Sequence, residues 1–209
     1  VYYLAAVALA LLVPLILLAG LWVRAEFAQS QRDVETYLAT RAAALSQRLD
    51  DEIRQQLTVL QAMAALPSLD GPDLAAFHAE AARMLPAMPQ WSLVSLVEPN
   101  TGRQILNTQR PVGAELPLTT APDVVRQVVQ TRQPALRTRP PQSGVLFGDH
   151  VVLLYVPVVR DGVVREVLAA GMRAEFVQRL VAEQAHDPRL LTVVVDEREH
   201  ILARSRVPE

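Results

Sequence analysis

The chain has 209 residues, is 51% hydrophobic and carries a net charge of −2. That balance argues against a nucleic-acid binder, which would show a basic face. The absence of Cys excludes disulfides, thiolate nucleophiles and Cys-based metal sites, and it does not decide the redox compartment. All 20 cationic residues are Arg, which with abundant Ala reads as the codon bias of a GC-rich genome.

Residues 1–23 carry no charge, and Arg24 follows at once. As a helix this run would be about 35 Å long, against roughly 30 Å of bilayer hydrocarbon. Tyr2, Tyr3 and Trp22 fall near its ends, where amphipathic rings favour the interfaces. It is read as a transmembrane helix. A cleaved signal peptide and a buried soluble helix are the other readings. The first is disfavoured by the length of the apolar stretch, the second by apolarity on every side.

From Ala25 to Leu66 the pattern is amphipathic. Val34, Leu38, Ala42, Leu45, Leu49, Ile53, Leu57, Leu60 and Met63 recur at steps of three and four, with no Gly or Pro between them. This predicts a long helix with dimer contacts near its start and packing on its own domain further on. The acidic trio Asp50, Asp51 and Glu52 reads as a solvated face. Pro67 ends the helix. Gly71-Pro72-Asp73 opens a second one, striped by Leu74, Phe77, Ala81 and Leu85.

Strand signals follow. Trp91 to Val97 and Arg103 to Asn107 flank the turn Pro99-Asn100-Thr101-Gly102 and predict a hairpin. A loop with Pro111, Gly113 and Pro117 leads to Thr120-Ala121-Pro122-Asp123, a helix start, and a short helix to about Gln130. Ala135 to Thr138 is a short strand and residues 139–144 a loop. Val151 to Val159 is apolar on both faces, as a central strand would be. Asp161-Gly162 is a hairpin turn, and the chain returns over Val163 to Met172. A helix over Ala174 to Gln184 and a last hairpin, Leu190 to Val195 with His200 to Ala203, complete the order. The expected class is α+β: a transmembrane helix, a long amphipathic helix, then a five-stranded antiparallel sheet with flanking helices.

That order, with the stretches YVPVVRDGVVREVLAAGM (155–172), VEPNTGRQILNT (97–108) and RPVGAELP (110–117), resembles the extracytoplasmic Cache (PAS-like) sensor domains of bacterial receptors. The tail LTVVVDEREHILARSRVPE (191–209) is similar to the first hairpin of a second lobe in double-Cache receptors. The resemblance implies three parts: a transmembrane helix over 1–23, the long helix plus membrane-distal lobe over 24–185, and the start of a second lobe over 186–209. It implies a fragment of a receptor in the bacterial inner membrane, periplasmic after its first span. A homodimeric sensor histidine kinase is the first expectation, with chemoreceptor or diguanylate cyclase outputs beside it. The Arg and Trp-Tyr signature of the amino-acid-binding subfamily is not recognisable here.

No catalytic motif is present: no GxSxG, HExxH or phosphate-binding Gly-rich loop. The four histidines, His78, His150, His186 and His200, have no ligand spacing, so no metal or cofactor is expected. The resemblance points to a small-molecule site built from Trp91, Arg137, Arg139, Phe147, His150 and Tyr155, with Asp149 beside them. Arg suits a carboxylate, because its planar donors grip both oxygens, so a small organic anion is the expected ligand. Two other classes stand beside the sensor: an anchored coiled-coil scaffold with a non-binding head, and a membrane-tethered enzyme.

Overall fold

A computed structural model describes residues 35–71, 73–138, 150–184, 190–197 and 199–205. The expected membrane span, residues 1–23, lies outside the described residues. Among the described residues no helix is long and apolar enough to cross a membrane. The chain divides into two compact units, Val1–Arg48 and Leu49–Glu209. Of the first, residues 35–48 are described and are helical. There Arg41 stacks on Tyr37, 5.0 Å from its ring centre.

The first described helix, α1, covers residues 35–64. In its second half Gln56, Leu60, Met63 and Ala64 are buried and Ile53 and Leu57 half-buried. That is the 3.6-residue stripe of a helix laid on a core. Pro67 has no N–H to continue the ladder and opens a 3₁₀ turn, Pro67–Leu69. Helix α2, Ala75–Met84, buries Phe77 and Ala81 and starts where the Asp73 side chain accepts a hydrogen bond from the Ala75 N–H, 2.9 Å.

Five strands form one sheet: β1 Trp91–Val97, β2 Gln104–Asn107, β3 Ala135–Thr138, β4 His150–Arg160 and β5 Val163–Arg173. Their order is β2-β1-β5-β4-β3, and every neighbouring pair is antiparallel. The long central pair β4–β5 turns at Asp161 and Gly162, both at positive φ (52° and 75°), the geometry that Asp-Gly supplies in a tight hairpin. Helix α3, Pro122–Thr131, connects β2 to β3, and α4, Ala174–Gln184, follows β5. A separate two-stranded sheet, β6 Val193–Val195 with β7 Ile201–Arg204, completes the order.

The sheet is covered on both faces, so β1, β4 and β5 read as near-continuous apolar runs. One face carries Val97, Leu153, Tyr155, Val167 and Ala169, buried against Val124, Val125 and Val128 of α3. The opposite face carries Val94, Leu96, Leu154, Val156, Leu168 and Ala170, none more than 1% exposed. Gln178 of α4 ties down β7: its side-chain oxygen accepts the Arg204 N–H, 3.2 Å, and its amide donates to the Arg204 carbonyl.

Candidate ligand-binding face

Directly paired strand residues share a face of a sheet, so the ladder fixes which candidate side chains can meet. Tyr155 pairs with Ala135 and Ala169, and Ala169 with Ser95. One step along, Arg137 pairs with Leu153, Leu153 with Gly171 and Gly171 with Leu93. Tyr155 and Arg137 therefore stand on one face, the face under α3. Ser95, Ala169 and Gly171 are the small residues of that face, and Ser95 and Ala169 are buried there.

Trp91 is not brought to that face. It pairs with Met172, whereas Leu93 pairs with Gly171, so a β-bulge lies between Trp91 and Leu93. The extra residue reverses the alternation, and Trp91 joins Met172 and Val152 on the opposite face. It is 1% exposed there, and its buried indole N–H has no acceptor among the described residues. His150 opens β4 opposite Arg173, and its side chain is outside the described residues. Arg139, Phe147 and Asp149 are outside them as well.

Arg137 is a quarter or less exposed and forms an ion pair with Asp123 in the first turn of α3. Desolvation alone would raise the Asp123 carboxyl. The hydrogen bond and charge of Arg137, with the backbone N–H groups of Asp123 and Val124, outweigh it and hold the carboxyl below its ordinary value. The pair sets one fixed cation and one fixed anion side by side at the α3 edge of the face. Asp123 was legible as a helix-start acid. Its partnership with a residue fourteen positions away was not.

The next residue of β3 is also engaged. Thr138 Oγ1 donates to Asp196 Oδ2, 3.4 Å, in the β6–β7 turn. The Asp196 carboxylate is 3% exposed and accepts from the His200 backbone N–H, 2.8 Å, and contacts its ring Nδ1, 3.1 Å. The small second sheet thus abuts the end of the strand that carries Arg137. Two further buried polar residues sit toward β2. Asn107 pairs with Ser95 and donates to Gln104 Oε1, 3.0 Å, while its own oxygen accepts the Gln109 N–H, 2.9 Å.

Elsewhere a cavity of about 20 Å³ lies between α2 and β2, lined by Leu74, His78, Ile105 and Val112 among others. It has room for a single water. His78 donates from Nε2 to the Arg110 carbonyl, 2.9 Å. Among the described residues no group of three or more His, Cys, Asp or Glu is placed to hold a metal.

The overall arrangement matches solved structures. The ligand-binding domain of the Pseudomonas aeruginosa amino acid chemoreceptor PctC, in complex with GABA, superposes with a TM-score of 0.63 at 15% identity, over 81% of this chain and 74% of that one. The ligand-binding domain of the Campylobacter jejuni chemoreceptor Tlp3, in complex with 4-methylisoleucine, gives 0.58 at 17% identity, over 78% and 66%. The extracellular domain of rpHK1S-Z16, named as a histidine kinase, gives 0.57 at 15% identity, over 77% and 66%. The chain has the fold of these receptor sensor domains. It spans about two thirds of the length of the Tlp3 domain. No family model matches the sequence, and no curated protein matches it.

Proposed function

We propose that this chain is the ligand-sensing input region of a bacterial membrane receptor, with the α3-covered face of the five-stranded sheet as its binding face. The observation that carries this is the placement of Arg137 and Tyr155 on one face, around the small residues Ser95, Ala169 and Gly171. A guanidinium fork held at a face edge suits a carboxylate, and Tyr155, 3% exposed and packed against α3, anchors the inner end of that face. Arg139, Phe147 and His150 remain expected contributors from the segment that follows β3. Trp91 acts in the core of the opposite face.

The ligand class follows from the pair. Arg137 offers a donor fork for a carboxylate, and Asp123 beside it offers an acceptor for an ammonium. The ligand we propose is a small organic anion, best an amino-carboxylate that uses both charges. The solved sensor domains are in complex with 4-methylisoleucine, L-valine, L-serine and GABA, which all carry these two groups. The finer architecture belongs to the same reading: a first membrane span over 1–23, a membrane-distal lobe over 24–185, a second lobe beginning at 186, a periplasmic location, a homodimer, and a histidine kinase output with a chemoreceptor as alternative. Val193, Val195 and Ile201 of the small sheet, with Leu191 before it, are exposed apolar residues that suit packing against a second lobe.

One observation favours a second reading, a lobe that transmits strain without binding. The charge of Arg137 is already neutralised by Asp123. A thermal-shift screen separates the two. At a hundredfold excess over Kd a ligand adds about 2.7 kcal/mol to stability. For a domain of this size that raises Tm by roughly 5–10 °C. The sensor reading expects such a shift from at least one amino-carboxylate and none from its amide. No shift across amino acids, ω-amino acids and dicarboxylates supports the non-binding lobe.

A further inference from the structure

The C-terminal end of α1 is held by a residue from far along the chain. The last carbonyls of a helix have no partner within it. Here the Ala65 and Leu66 N–H groups take up the carbonyls of Ala62 and Met63, 3.2 and 3.1 Å, in a tightened last turn. The carbonyls of Ala64 and Leu66 are then bound by Arg160, each at 3.1 Å, from the two terminal nitrogens of one guanidinium. The same group donates from Nε to the Asp70 carboxylate and from Nη1 to the Val159 carbonyl, 3.0 Å. Its side chain is 19% exposed, and its two bonds to the carbonyls of Ala64 and Leu66 are part-buried. A cation at a helix C-terminus also opposes the helix dipole.

Arg160 is the last residue of β4, and Tyr155 stands on the same strand. Five residues of strand span about 17 Å. One covalent rod thus carries Tyr155 of the proposed binding face near its middle and the clamp on α1 at its end. α1 is the element that runs back toward residue 35 and, in the sensor reading, toward the membrane.

We propose that Arg160 is the positioning residue that couples the sheet to the long helix, so that a displacement of β4 is passed to the end of α1. The signalling half of this rests on the sensor reading. The clamp itself does not, and it is tested without ligand.

The test is hydrogen exchange on the 209-residue chain, comparing the parent with Arg160→Met, Arg160→Lys and Asp70→Asn. Losing charge-assisted bonds at the helix end speeds exchange of the backbone amides of residues 61–70 by about 10- to 100-fold in Arg160→Met. The amides of β1 and β5 keep their parent rates. Arg160→Lys gives an intermediate effect, because one ammonium cannot span the separate acceptors. Asp70→Asn, the mildest change, shows the same pattern with smaller amplitude if Arg160→Met fails to fold. Unchanged exchange over residues 61–70 overturns the proposal. So does a uniform acceleration of helix and sheet together, which marks a contribution to global stability only. A compound screen that finds no ligand would sink the sensor reading and leave this result standing.

Discussion

Replacing Trp91 with Phe should leave both stability and ligand affinity close to those of the parent. The indole is 1% exposed, and its buried N–H has no acceptor among the described residues. Removing the pyrrole part of the ring takes away roughly 40 Å² of apolar burial, about 1 kcal/mol at 25 cal/mol per Å². Incomplete collapse of the vacated space adds about another 1 kcal/mol. Against this, an unsatisfied buried donor costs about 1–3 kcal/mol, and Phe has none. The terms cancel to within about 1 kcal/mol, a Tm change of no more than roughly 2–4 °C. Trp91→Ala, which empties the site, should cost about 3–5 kcal/mol. Thermal and urea unfolding followed by circular dichroism measure both. A loss above 2 kcal/mol for Trp91→Phe would show that the indole N–H has a partner. A tenfold loss of affinity in Trp91→Phe would show that the bulge does not separate Trp91 from the binding face.

Three further outcomes follow from the same structure. The Asp123 carboxyl is held below its ordinary value, so the pair's stabilisation is complete above the unfolded pKa, about 4, and is lost as pH falls through the folded value. Because Asp123 is more than half exposed, the pair is worth less than about 1 kcal/mol, and Arg137→Ala should flatten the acid limb of a stability–pH profile by no more than that. Burial raises the Glu166 carboxyl against the opposing charges of Arg165 and Arg160. The folded state then holds its proton longer than the unfolded one, and stability declines as pH rises from about 4.3 through the folded value. Glu166→Gln should remove that decline and raise the urea midpoint at neutral pH. Gly162→Ala meets no atom within 4 Å but forces a side chain to φ +75°, and it should cost about 1–2 kcal/mol in equilibrium unfolding.

Much of the sheet was legible because its signals are local. Alternation, the apolar run of β4 and the Asp161-Gly162 turn placed β1, β3 and α4 at their observed bounds and the other strands within one residue at each end, save β6, which begins three residues later than expected. What escaped sequence reading depends on tertiary context. A single extra residue after Trp91 sets its side chain on the face opposite Leu93. Gln56 lies at a buried position that the apolar stripe passed over. It accepts from the Gln90 amide and donates to Glu52, both 2.8 Å, so a polar residue satisfies itself inside the helix–lobe contact. Arg160 carries no local signal, since nothing in its neighbourhood marks carbonyls more than ninety residues away. The Arg137–Asp123 partnership likewise spans two elements. The expected Arg139 and Phe147 fall outside the described residues, as does the membrane span.

The central claim is that the α3-covered face binds a carboxylate through Arg137. A calorimetric titration with the amino-carboxylate giving the largest thermal shift, repeated on Arg137→Ala, tests it most directly. Truncating one side of a charge-assisted contact costs about 2–4 kcal/mol, so Kd should weaken by roughly 30- to 1000-fold while unfolding changes little. An unchanged Kd in Arg137→Ala, with the parent binding normally, would contradict the account.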